Sequence, residues 1–366
     1  MLENKTCENT TAINPEGNPV MSTLMFVAGL VGNLLALGIL CWHQHKHRAK
    51  TSVFCILVTG LAVTDLLGTC FLSPVVFACY KQRTSLLGLT GNPGLCRFFA
   101  FAMTFFILAS MLILCAMAVE RCLAISHPYF YSKRVHRSFA KVVLPLIYLF
   151  TFAFCSLPFL GYGQYKQFCP GTWCFIKMEA GANVEDEGYV LAFSLSYASL
   201  MALLIVVVFV CNGSVFMSLC HMHRSQMSRR GSVVSTGRKK KMTDWYREGE
   251  EEVDHLLLLA SMTVIFVICS LPLTICGFIS AVSPSGNDQQ NLMAFRFSAF
   301  NPIVDPWVFI ICRKAVFRQL RSLLRCRIPR GALKNTAHNT LNSPAQVRPL
   351  QPSGTVPLQT FPSMPM

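Results

Sequence analysis

Seven long apolar blocks, each close to the length needed to cross a bilayer, constrain this chain more than any other feature. A hydrocarbon core of roughly 30 Å calls for about 20 apolar residues in a helix. Blocks of this kind are read at about 19–42, 52–80, 97–122, 141–162, 188–220, 253–282 and 290–312. Composition agrees, with 53% of 366 residues hydrophobic and 13% charged, which is not the balance of a soluble domain. Backbone polar groups find no water in hydrocarbon, so each block must be helical. The fold class read from the chain is therefore all-α, a seven-transmembrane helix bundle. Residues 1–18 read as an extracellular tail, 19–326 as the bundle with an amphipathic interfacial helix at its end, and 327–366 as a disordered cytoplasmic tail rich in Pro, Ser and Thr.

The net charge of +15 is not spread evenly. Lys46, Arg48 and Lys50 follow the first block, and Lys133, Arg134, Arg137 and Lys141 lie around the connection after the third. Arg229, Arg230 and Arg238 to Lys241 follow the fifth, and Arg313 to Arg330 follow the seventh. Clustering after odd-numbered spans is the positive-inside pattern, which places those connections in the cytoplasm and the N-terminus outside. The same distribution argues against a nucleic-acid partner. The sequons at Asn4 and Asn9 agree with an outside tail, whereas Asn212, also in a sequon, lies inside a span. No charged segment with a cleavage site precedes the first span, so that span is expected to serve as the targeting signal. Arg313 to Arg325 reads as the interfacial helix, with Ala315, Phe317, Leu320 and Leu324 on its apolar side. Cys326 at its end is a candidate palmitoylation site. Ser232 follows Arg229-Arg230-Gly231 and is a candidate kinase site.

Most of the 17 Cys lie within spans, where they serve as small packing residues. Outside are Cys7, Cys96, Cys169 and Cys174, enough for two disulfides, with three pairings open. No His joins this group, which argues against a metal, and no cofactor is implied.

Ionisable residues within a span are costly and need a reason. Asp65 and Asp305, with Asn33, Ser110 and Asn301 as polar neighbours, suit either a hydrated sodium or proton pocket or plain interhelical hydrogen bonding. Glu120 and Arg121 close the third span, where they could be only an interfacial ion pair. Arg296 lies in the outer third of the seventh span, between Phe295 and Phe297. Its planar guanidinium suits a carboxylate ligand; snorkelling, or pairing with Glu185 or Asp186, is the alternative.

Taken together, these features resemble the rhodopsin-like G-protein-coupled receptors. The resemblance rests on Gly32-Asn33, Leu61-Ala62-Val63-Thr64-Asp65, Cys96, Glu120-Arg121-Cys122, Pro272 and Asp305-Pro306-Trp307, and it covers about 20–326. Departures from that pattern narrow it. The sixth span reads Cys269-Ser270-Leu271-Pro272 without the usual Trp, and the fourth span has no Trp. The loop Gln167-Phe168-Cys169-Pro170-Gly171-Thr172-Trp173-Cys174-Phe175 is similar to a signature of the prostanoid receptors. The chain thus resembles that family, whose arginine matching Arg296 holds a prostaglandin carboxylate.

The resemblance implies that Tyr80 and Thr172 help hold the carboxylate, with Thr69 and Ser73 lower in the pocket. Trp173 would belong to a lid, and Phe99, Met103 and Phe295 to the apolar wall. It implies disulfides Cys96–Cys174 and Cys7–Cys169, and a ligand that enters from the bilayer through a gap between outer helices. Segments such as Ser22 to Gly29 and Phe101 to Phe106 are most similar to prostacyclin-binding members; His127 to Tyr131 resembles those binding prostaglandin E2, with prostaglandin D2 third. All three imply the stimulatory G protein, a rise in cyclic AMP, and further partners in receptor kinases and arrestin at the plasma membrane. Activation would be a population shift in which the sixth helix moves and Arg121 is freed, with Glu120, Asp65, Asp305 and Pro306 as elements of the switch. A transporter would need a polar path, and no internal repeat is visible. A membrane enzyme would need a convergent acid, base or metal set, and the chain shows none.

Overall fold

A computed structural model describes residues 7–14, 18–47, 52–134, 137–178, 184–230, 260–280 and 288–312. The long helices are α1 (Pro19–His47), α2 (Val53–Gln82), α4 (Gly94–Ser126), α6 (Arg137–Ser156), α7 (Val184–Arg230), α8 (Ala260–Ser280) and α9 (Asp288–Cys312). Between them lie the short helices α3 (Leu86–Thr90) and α5 (Pro128–Arg134), and an antiparallel hairpin of β1 (Tyr165–Phe168) and β2 (Trp173–Ile176). All seven blocks are matched by a helix. The hairpin, α3 and α5 are absent from the block pattern, because four to seven residues are too short to carry a period.

Six of the long helices are apolar enough to cross a membrane. The seventh, α9, has 25 residues but spends several on Arg296, Asn301, Pro302, Asp305 and Pro306. Outward faces carry the apolar surface, including Leu24, Phe71, Leu149, Phe209 and Ile279. That arrangement suits lipid rather than water. The protein is a multi-pass membrane protein.

Helix α4 is the axis of the bundle and touches α2, α6, α7, α9 and both strands. Its inward residues Phe99, Leu108, Met111, Ile113 and Met117 are buried. Helix α1 packs between α2 and α9, and the reason lies in its sequence. A Cβ at Gly32 would meet Trp307 Nε1 at 2.8 Å and Pro306 Cγ at 3.0 Å, so only glycine allows that approach. Pro306 has no N–H, which strips the Pro302 carbonyl of its usual helical donor. Asn33 Nδ2 supplies the missing bond at 3.0 Å. The Gly32-Asn33 pair is thus a fitting for the prolines of α9. Asn212, the sequon within a span, donates to Thr263 Oγ1 between α7 and α8.

The four cysteines expected outside form Cys7–Cys169 and Cys96–Cys174. The second pins the top of α4 to β2; the first ties the tail to the hairpin turn. The interfacial helix, Asn4, Ser232 and Cys326 lie outside the described residues, whereas Asn9 is described and exposed.

Candidate functional site

Beneath the hairpin lies a cavity of about 210 Å³ between α1, α2, α4 and α9. Every residue expected in the pocket lines it: Arg296, Tyr80 and Thr172 near the hairpin, Thr69 and Ser73 along α2, Phe99 and Met103 on α4, and Trp173 and Phe295 at the roof. Four elements therefore converge on one space. Arg296 is half-buried, and no ion pair to it appears among the described residues. The side chains of Glu185 and Asp186, its candidate partners, lie outside that set.

The roof is set by local chemistry. Gly171 sits at φ 100°, a left-handed turn that a side chain would strain, and its N–H donates to Phe168 O at 2.8 Å. The turn aims Trp173 inward, where its ring stacks on Phe295 at 4.5 Å and on Phe168 at 4.7 Å. Trp173 Nε1 donates to Cys169 O at 2.8 Å, satisfying the one polar atom of a buried ring. Two buried side chains then stitch the hairpin to its neighbours. Gln167 Nε2 donates to the Cys7 and Thr10 carbonyls at 2.9 and 3.0 Å, and its Oε1 accepts from Leu87 N at 3.1 Å. Ser85 Oγ donates to Thr10 O at 2.6 Å and accepts from Gly88 N at 3.2 Å. Tail, α3 and hairpin form one roof.

Residues of α1 also line the cavity, namely Met21, Ser22, Met25 and Phe26. Sequence reading missed them, since apolar residues on the first span carry no mark that separates pocket wall from lipid face. Met21 is both a lining residue and exposed.

The cavity floor is polar. Asp65, Ser110, Ser298 and Asn301 line it, and Ser110 Oγ donates to Asp65 Oδ1 at 2.5 Å. Asp65 Oδ2, both oxygens of Asp305, Asn301 Oδ1 and Ser298 Oγ are buried and find no hydrogen-bond partner among the described residues. Buried oxygens in that number ask for a cation, protons or water. Carboxylate, amide and hydroxyl oxygens are the donor types a hard monovalent cation takes. Beside this cluster, where a Trp is usual, Ser270 bridges helices instead. Asn301 Nδ2 donates to Ser270 Oγ at 3.1 Å, and Ser270 Oγ lies 3.5 Å from Met111 Sδ.

At the other end of α4, Arg121 pairs with Glu120 through Nε at 2.6 Å and Nη2 at 3.0 Å. Tyr131 on α5 donates its phenol to Glu120 Oε1 at 2.5 Å. Burial and the adjacent carboxylate push the Tyr131 phenol up, so it stays protonated as the donor.

The description "7 transmembrane receptor (rhodopsin family)" matches residues 32–309. The crystal structure of squid rhodopsin superposes with a TM-score of 0.65 at 14% identity, covering 87% of this chain and 92% of that one, which speaks to fold alone. The prostacyclin receptor of Rattus norvegicus is 55% identical, across 92% of this chain and 76% of its own. The human prostacyclin receptor is 55% identical across 87% and 79%, and the human prostaglandin E2 receptor EP2 subtype 47% across 89% and 91%. With the pocket residues on one cavity and the signature loop forming its roof, the chain belongs to the rhodopsin family of seven-transmembrane receptors and, within it, to the prostanoid receptors.

Proposed function

We propose that this receptor binds prostacyclin in the roofed cavity and activates the stimulatory G protein, raising cyclic AMP. One observation carries the ligand reading. Arg296 faces an apolar, roofed cavity alongside Tyr80 and Thr172, and no acid among the described residues neutralises it. A guanidinium so placed takes a carboxylate in a bidentate fork. The apolar walls of Phe99, Met103 and Phe295 suit a fatty-acid body, with Thr69 and Ser73 available to its hydroxyls. Because tail, α3 and hairpin are bonded together over the cavity, the ligand enters from the bilayer past Met21 and Ser22 of α1. Prostacyclin rather than prostaglandin E2 is favoured by the higher identity to prostacyclin receptors. Prostaglandin E2 is the second reading, and its support is the 47% identity to the human EP2 subtype.

The receptor lies in the plasma membrane with its tail outside, glycosylated at Asn4 and Asn9. Its cytoplasmic face engages the G protein through Arg121, with kinases acting at Ser232, arrestin following, and Cys326 lipidated. In the resting state Glu120 holds Arg121. The floor cluster of Asp65 and Asp305 holds a sodium ion that leaves as the helices rearrange, and Pro306 lets α9 bend there. The Asn301–Ser270–Met111 bridge takes the place of the missing tryptophan. It couples the cavity floor to α8, the helix whose movement opens the cytoplasmic side.

The test is a cyclic AMP assay in cells expressing wild type or Arg296→Ala, against a panel of prostanoids. A stable prostacyclin analogue is expected to be the most potent agonist, and Arg296→Ala to blunt it. A prostaglandin E2 response at lower concentration would move the assignment to the second reading. Silence towards every prostanoid would remove the ligand class altogether.

A further inference from the structure

Arg121 is held by more than its neighbour in sequence. Its Cζ lies 4.3 Å from the centroid of the Phe54 ring, so the guanidinium covers an aromatic face. Phe54 is the second residue of α2 and only 3% exposed, which makes this an interior contact and not a passing surface one. The first turn of α2 is fixed by its cap, with Cys55 N–H donating to Ser52 Oγ at 3.2 Å. The ring therefore has a defined position. Glu120 and Arg121 share one helix, so their ion pair alone cannot orient Arg121 relative to the rest of the bundle. Phe54, on another helix, can. A cation over a ring is attracted by the ring's quadrupole, and more strongly where water is excluded.

We propose that Phe54 is a positioning residue for Arg121: its aromatic face seats the guanidinium against α2 in the resting receptor, and signalling requires Arg121 to leave that seat. This rests on the reading of Arg121 as the group that meets the G protein. In a two-state receptor, weakening the resting contact raises the population of the signalling state without agonist. The size of the effect follows from the ring's electron density and not only from its bulk.

That distinction gives the test. In the full-length receptor in membranes, Phe54 is replaced by phenylalanines carrying one, two and three fluorines, which thin the π-face while nearly keeping its shape. Agonist-free nucleotide exchange is measured on the heterotrimer that agonist drives, per surface receptor. A stepwise rise across the series is expected, reaching severalfold with three fluorines, and Phe54→Leu at least as high. Agonist binding to each variant establishes that it has folded. A flat or falling series overturns the proposal even if Phe54→Leu is active, because packing alone would then explain that variant. Arg121→Ala separates this failure from that of the underlying reading. If Arg121→Ala couples like wild type, the coupling role of Arg121 falls and the Phe54 seat with it. If Arg121→Ala is silent and the series is flat, only the seat is lost.

Discussion

At the roofed end of the bundle, the tail, α3 and the hairpin are joined by the Cys7–Cys169 disulfide and by the backbone-directed hydrogen bonds of Ser85 and Gln167, and the Cys96–Cys174 disulfide pins the hairpin to α4. At the opposite end, α2, α4 and α5 meet through the Glu120–Arg121 pair, the Tyr131 phenol and the Phe54 ring. The first set is covalent or buried, so exchanging its partners means breaking a disulfide or leaving buried polar groups unpaired. The second consists of long side chains that can exchange partners at a cost of a few kcal/mol or less. A receptor needs both. Anchoring a flexible lipid in a preorganised site avoids an ordering cost on binding, whereas a switch needs two states that a ligand's differential affinity can reverse.

The contrast is broken most severely at Cys174. Its bridge to Cys96 closes a separation of 78 residues, for which chain-entropy arguments give about 4–5 kcal/mol. Cys174→Ser is expected to lose nearly all ligand binding at the cell surface, measured with a radiolabelled prostanoid. Retained binding would mean that hydrogen bonds alone hold the roof. Next is Arg296→Ala. Losing a charge-assisted bidentate contact removes roughly 2–3 kcal/mol, or about a hundredfold in affinity for a carboxylate ligand. The methyl ester of the same ligand should bind both forms within severalfold, and an equal loss for acid and ester would argue that Arg296 supports the fold instead. Gln167→Ala ranks third. It takes the side-chain acceptor from the part-buried Leu87 N–H and removes the hairpin's bonds to the Cys7 and Thr10 carbonyls, at about 1–3 kcal/mol. The expected reading is ligand dissociation roughly tenfold faster, with affinity reduced alongside.

How much of this could be read in the chain follows the same division. The spans were legible because hydrocarbon imposes a long apolar run, and even α9 stood out once its polar residues were taken as functional. Arg296 was legible because charge inside a membrane is expensive. The disulfide pairing was not legible in the cysteines alone, which permit three pairings; the resemblance implied the Cys7–Cys169 and Cys96–Cys174 bridges that the fold shows. Gln167 and Ser85 were equally silent. A buried glutamine that bonds backbone carbonyls looks in sequence like any loop residue, and its role depends on a tail 160 positions away. Phe54 was invisible for the same reason, as one aromatic among 28 phenylalanines with nothing local to mark the ring beneath Arg121.

The floor of the cavity lies between the two regimes, with fixed positions and several buried oxygens that bond to no described residue. If sodium occupies it, agonist affinity in wild-type membranes falls as sodium replaces potassium at constant ionic strength. Asp65→Asn is expected to abolish that dependence while leaving the Arg296 contact intact. A sodium effect of unchanged size in Asp65→Asn would place the ion elsewhere, and no effect in either form would leave protons or water as the guests of those oxygens.

The smallest expected effect belongs to Tyr131, and it sharpens the comparison because the change is one oxygen atom. Tyr131→Phe keeps the ring and removes only the donor to Glu120 Oε1. Hydrogen bonds to a charged acceptor contribute about 1.5–3 kcal/mol, less where the donor is part-exposed as here, so about 1 kcal/mol is the working figure. That converts to roughly fivefold in the resting-to-signalling ratio at most. Glu120 then keeps Arg121 as its one partner from the pair of contacts, and agonist-free nucleotide exchange should rise two- to fivefold. Combined with trifluorophenylalanine at position 54, the effect should fall short of the product of the two, because both loosen the same guanidinium and groups in one network do not add. A full product would show instead that Tyr131 and Phe54 act on separate steps.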